Sequence, residues 1–321
     1  MELFSRISPK YHAGLTWAAI LALVLGMLGL ALRCDKPSGD DGDTGRQPAI
    51  PDRIVSMAPN ITETLFALGL GDRVVGVTRF CTFPPEAREK PSVGGFLDPN
   101  YEMITSLRPD LVLLLPEHAD VMEALRELGI SFDVVRNRTV DEILETIRSI
   151  GAACGREDEA RALIADIEKR METVRSCTAG GNVPKMLISV SREFDTGTIR
   201  QVYAAGPGTF YDELISIAGG RNACAETPAS YPALSAEGLI SLDPDIIIDL
   251  IPPGQAGEID PDLARNAWAE YGYIKAVRTG DIHVIDADYA VIPGPRFIRF
   301  LEDLAGIVRD WQARDPGGNR P

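Results

Sequence analysis

Two glutamates stand in matching surroundings far apart in the chain. Glu102 lies in Tyr101-Glu-Met-Ile-Thr-Ser-Leu-Arg-Pro-Asp-Leu-Val-Leu-Leu-Leu115, and Glu237 in Ala236-Glu-Gly-Leu-Ile-Ser-Leu-Asp-Pro-Asp-Ile-Ile-Ile-Asp-Leu250. Ser106/Ser241, Leu107/Leu242, Pro109/Pro244 and Asp110/Asp245 are identical between the copies. A carboxylate in a first helical turn complements the macrodipole by roughly 0.3–1 kcal/mol, which is the ordinary role of either glutamate alone. A matched pair on two similar units also offers two fixed negative charges to a symmetric, positively charged partner.

Other reactive groups are sparse. His12, His118 and His283 are the three histidines, and no metal-ligand spacing joins them, so neither a resident metal nor any other cofactor is expected. Nucleophile elbow, P-loop and H-E-x-x-H signatures are all absent, which argues against an enzyme. Gly69-Leu-Gly-Asp-Arg-Val-Val-Gly76 closes a helix and precedes a strand, the reverse of a dinucleotide fingerprint. Asn60 and Glu63 have the spacing of a capping box, which assigns Glu63 to a helix start. Aromatics fall on loops that follow strands, namely Phe80, Phe96, Tyr231 and Tyr289, and Arg79 and Arg296 lie on comparable loops where an anionic ligand would meet them.

The elements that position these groups follow from periodicity. Each repeat copy reads as a short amphipathic helix, stopped before a proline, running into a strand expected to be buried and parallel. Further strands are expected at 53–59, 74–77, 130–135, 185–190 and 282–285, and helices at 60–69, 119–128, 141–151, 210–218 and 296–311. Residues 157–175 form one long helix with the stripe Ala160, Leu163, Ile164, Ile167, Met171 and Val174, and it has no counterpart in either copy. The fold expected is α/β, with two Rossmann-like lobes joined by one long helix and a ligand cleft between them. The lobes span 52–152 and 183–312, the connector 153–182, and a tail 313–321.

Upstream, an apolar run from Gly14 to Leu32 follows Arg6 and Lys10. Its roughly 19 residues, at ~1.5 Å each, span close to 30 Å, enough to cross a bilayer once. Residues 1–33 are therefore expected to be a signal or anchor segment that tethers an exported body to the membrane. Cys34 follows Leu30-Ala-Leu-Arg33, where a lipoprotein box would want a small residue before the cysteine, so an uncleaved anchor is favoured over a lipoprotein. Residues 34–51 read as a flexible linker of Asp, Gly, Ser, Pro and Thr. None of the five cysteines forms a C-x-x-C pair. The net charge of −15 argues against nucleic acid as a partner.

Arg53-Ile-Val-Ser-Met-Ala-Pro-Asn-Ile-Thr-Glu-Thr-Leu-Phe-Ala-Leu-Gly69, Phe83-Pro-Pro-Glu-Ala87, Val93-Gly-Gly95, the two Leu-x-Pro-Asp units and Pro293-Gly-Pro-Arg296 resemble the substrate-binding proteins of ABC importers for cobalamin and ferric siderophores. The resemblance covers about Arg53 to Trp311. It implies two α/β lobes on a single connecting helix with little hinge motion. It also implies partners: a permease with its ATPase, and a small-molecule metal chelate of cobalt or iron. One glutamate per lobe docks on permease arginines in the cobalamin-binding member, and Glu102 and Glu237 resemble these. Phe96 and Tyr231 fall where that member uses aromatics. Those two aromatics fit a flat macrocycle and make a corrinoid the favoured cargo, with ferric siderophores and haem as alternatives; Leu115, where that member has a tryptophan, departs from the corrinoid pattern.

Overall fold

A computed structural model of the chain describes residues 50–192, 199–251 and 259–314. The expected anchor, most of the linker, Cys34 and the end of the tail lie outside these residues. No helix among the described residues is long and apolar enough to cross a membrane.

The first lobe is built on β1 (Ile54–Ser56), β2 (Val74–Val77), β3 (Leu111–Leu114) and β4 (Phe132–Val134), all parallel in the order β2-β1-β3-β4. The second carries β5 (Lys185–Arg192), β6 (Val202–Ala204), β7 (Arg221–Asn222), β8 (Ala233–Leu234), β9 (Ile246–Leu250) and β10 (Ile282–Ile285). Its order is β10-β9-β5-β6-β8, with β7 also paired to β5. Strands β5, β7, β9 and β10 are mutually parallel, and β6 and β8 add an antiparallel edge that the sequence pattern did not announce. Helix Glu157–Thr178, of 22 residues, follows the last strand of one sheet and precedes the first of the other.

The two repeat copies build the same joint. Helices Tyr101–Ser106 and Ala236–Leu242 each run into a residue in the left-handed region, Arg108 (φ 44°) and Asp243 (φ 39°). A proline follows each, and a residue before proline is disfavoured in the right-handed helical region, so the helix cannot simply continue. The next residue then grips the first strand of its lobe. Asp110 Oδ2 accepts the N–H groups of Asp52 and Arg53 at 3.0 and 2.9 Å, and Asp245 Oδ2 accepts that of Lys185 at 2.7 Å. In return the Arg53 guanidinium donates to the Leu107 carbonyl and Lys185 Nζ to that of Leu242.

Side chains alternate across the central strands. Leu111 and Leu113 enter the main core while Val112 and Leu114 enter a core private to the first lobe. Ile246, Ile248 and Leu250 likewise join the main core, and Ile247 joins the second lobe's own. The main core takes Ile164, Ile167, Met171 and Val174 from the connecting helix, so it runs through both lobes without a break. Cys81, Cys154, Cys177 and Cys224 are all free thiols.

One local expectation is corrected. Helix Pro59–Ala67 begins at Ala58 without a side-chain cap, so Asn60 and Glu63 do not form a capping box. Pro59 at the first helical position needs no donor there, which removes part of the demand for a cap.

Candidate functional site

Glu102 and Glu237 are exposed, each at the second position of its helix. The preceding caps hold these helix starts: Asn100 Oδ1 accepts the Met103 N–H at 2.9 Å, and Ser235 Oγ accepts the Gly238 N–H at 3.4 Å. With the amides served by the caps, both carboxylates face solvent, and neither forms an ion pair among the described residues. An exposed apolar side chain lies near each in sequence, Leu97 and Ile240.

Three of the loop residues come together in the first lobe. The loop after β2 and the segment Val93–Phe96 are stitched by Val93 N–H to the Val77 carbonyl (2.8 Å) and Arg79 N–H to the Gly94 carbonyl (2.9 Å). Gly94, at φ 99°, adopts a backbone that a side chain would strain. Arg79 pairs with Asp98 and lies 5.6 Å from the Phe80 ring. Both partners of that pair are exposed, so it contributes little and is open to exchange with a ligand anion.

Phe96 lies against His118, ring centroids 4.3 Å apart. His118 is 2 % exposed, and its Nδ1 accepts the Leu115 N–H at 3.0 Å. That bond places the proton of the neutral ring on Nε2, which has no partner among the described residues. Burial holds the imidazole pKa down at about 4. Nothing in the spacing of His118 revealed this role. It shows only once the strand end and the Phe96 loop meet.

Tyr231 approaches from the second lobe, on a segment fixed by Gly206 N–H to the Ser230 carbonyl at 2.7 Å. Burial pushes its phenol up to about 12, and Arg138 of the first lobe is near enough to act against that shift. Phe96 and Tyr231 both pack on the main core. Tyr289 packs there as well, but its hydroxyl donates to Asp303 Oδ2 at 2.9 Å within the second lobe.

Arg296 does not present a free cation. Its Nε and Nη2 donate to Glu63 Oε2 and Oε1 at 3.0 and 2.5 Å, and Nη1 donates to Asp288 Oδ1 at 2.8 Å. The Phe83 ring centroid lies 3.6 Å from its guanidinium carbon. Burial works against the arginine charge, and the bonds from Glu63 and Asp288 outweigh it. Burial also pushes the Glu63 carboxyl up, with Arg296 pulling it back. Glu63 and Arg296 border a pocket of about 650 Å³ with Phe66, Phe83, Glu86 and Pro295. A second pocket, of about 570 Å³, is bounded by Val140, Arg175, Asp212, Glu213 and Arg221.

Two α/β lobes with parallel sheets, joined by one long helix and carrying matched carboxylates, define a bilobed binding protein. Residues 54–289 match the family described as periplasmic binding protein, and the chain belongs to it. The uncharacterized ABC transporter substrate-binding lipoprotein YvrC of Bacillus subtilis is 30 % identical over 93 % of this chain and 98 % of its own. The vitamin B12-binding protein of Vibrio cholerae is 26 % identical over 82 % of this chain and 91 % of its own. Among solved structures, the periplasmic heme-binding protein RhuT from Roseiflexus sp. RS-1, in apo form, superposes with a TM-score of 0.69. It is 29 % identical, over 81 % of this chain and 99 % of that one.

Proposed function

We propose that this chain is the substrate-binding receptor of an ABC importer, and not an enzyme. It captures a metal chelate between its lobes, a corrinoid first among the candidates, and delivers it to a permease driven by its ATPase. The observation that carries this reading is the pair Glu102 and Glu237, exposed at equivalent helix positions on two lobes of a periplasmic binding protein. The names of the relatives from Bacillus subtilis and Vibrio cholerae support it. Phe96 and Tyr231 serve as apolar walls for a flat macrocycle, with Phe80 and Tyr289 beside them, and Arg79 is the cation available to a ligand carboxylate. The N-terminal segment holds the receptor at the outer face of the membrane, as an uncleaved anchor or through a lipid on Cys34.

Calorimetric titration of the purified protein with cyanocobalamin tests the cargo. Saturable one-to-one binding is expected, and no heat at any concentration would remove the corrinoid. Haem is the second reading, favoured by the likeness to a heme-binding structure. Its signature would be a shift of the Soret band on titration. Ferric siderophores, the remaining alternative, would register as quenching of tryptophan fluorescence.

A further inference from the structure

Arg296 belongs to the second lobe, at the head of helix Phe297–Arg314, yet its guanidinium is held by the first. Glu63 grips it with both oxygens and Phe83 covers its face, while Asp288 fixes the remaining edge from its own lobe. The two side chains are nearly sealed, Arg296 at 10 % and Glu63 at 2 % exposure. The backbones close in as well: a Cβ on Gly294 would stand 3.2 Å from Asn60 Cα. A second crossing runs from the first lobe's Val140 N–H to Glu213 Oε2 of the second, at 2.6 Å.

A surface ion pair swivels with its solvent. A buried, two-point pair stacked on an aromatic ring has one length and one direction, so it transmits the position of one lobe to the other. We propose that Arg296 is a positioning residue, a bolt between the lobes that sets the separation of Glu102 and Glu237 before any ligand arrives. What that separation serves rests on the docking reading above; the bolt itself does not.

The test measures the separation directly. Spin labels on Ser106→Cys and Ser241→Cys, exposed and equivalent in the two repeats, are read by electron–electron double resonance. The full-length chain is used, with Cys34 and Cys177 changed to Ser. The parent is expected to give one narrow distance. Arg296→Gln and Glu63→Gln, which break the pair from either lobe, are expected to lose that single distance to a broad distribution while circular dichroism stays unchanged. A narrow, unshifted distribution in a folded variant would overturn the bolt. Unfolding of both variants would overturn it too, because a bolt between formed lobes can fail without melting them. Failure of the docking reading is separate: Glu102→Lys with Glu237→Lys would then still support transport, whatever the distances show.

Discussion

Asp110 and Asp245 do the same work in the two lobes. Each carboxylate, one residue beyond the proline that follows its helix, accepts a backbone N–H at the start of its lobe's first strand: Arg53, just ahead of β1, or Lys185, which opens β5. Asp245 also pairs with Lys275 at 2.6 Å, its side chain only 16 % exposed. Asp245→Ala is therefore expected to cost about 1.5–3 kcal/mol, the range for hydrogen bonds to a charged group, and Asp110→Ala less. Shifts in the urea midpoint at constant slope would check both.

The docking role proposed for Glu102 and Glu237 predicts a loss confined to one step. Glu102→Lys together with Glu237→Lys is expected to leave ligand affinity intact and abolish uptake, with each single change costing roughly tenfold, about 1.4 kcal/mol, in affinity for the permease. Added salt is expected to weaken the wild-type complex, as exposed charges are screened. Ligand titrations of the soluble variants, paired with permease pull-down and uptake, separate the two steps.

His118 predicts an acid limb. The unfolded chain takes up a proton near pH 6.5, whereas the folded ring, buried and neutral, resists it until about pH 4. Between those values the unfolded state binds more protons, so stability falls as pH drops, by ~2–3 kcal/mol between pH 6.5 and 4.5. His118→Gln is expected to remove that part of the slope. Urea melts of parent and variant at pH 7 and pH 4.5 give the difference.

Phe96 predicts a loss of ligand without a loss of fold. It lies on the surface of the main core, half-buried against His118. Phe96→Ala is expected to weaken cargo binding on the order of tenfold or more, with little change in melting temperature, since stacking and area are lost at an aromatic wall. A variant that melts early and binds normally would place Phe96 in the core alone.

Much of this architecture was legible in the chain because the central strands are apolar on both faces and the helices carry clear stripes. The repeat showed two lobes, and the unmatched helix Glu157–Thr178 showed what lies between them. The antiparallel edge was not legible: Val202–Ala204 and Ala233–Leu234 are too short to print a pattern. Glu63 misled for a different reason. A local cap accounted for it fully, and its true partner stands 233 residues away. Asp110 and Asp245 were visible as a repeated letter, but their bonds reach 57 and 60 residues back, to strands that only the fold brings near. Phe96, Arg79 and Phe80 were placed on loops correctly, and the histidine beneath Phe96 left no sequence signal.

The continuous core bears on how an empty receptor differs from a full one. Swinging the lobes apart would strip Ile164, Ile167, Met171 and Val174 of neighbours on both sides and wet the surface they share, at roughly 25 cal/mol per Å². With the Arg296–Glu63 pair bolting the lobes above that core, the molecule is held to one posture. Under the proposed function, such a receptor would not announce its load by changing its silhouette, and the transporter it serves would have to read the cargo itself.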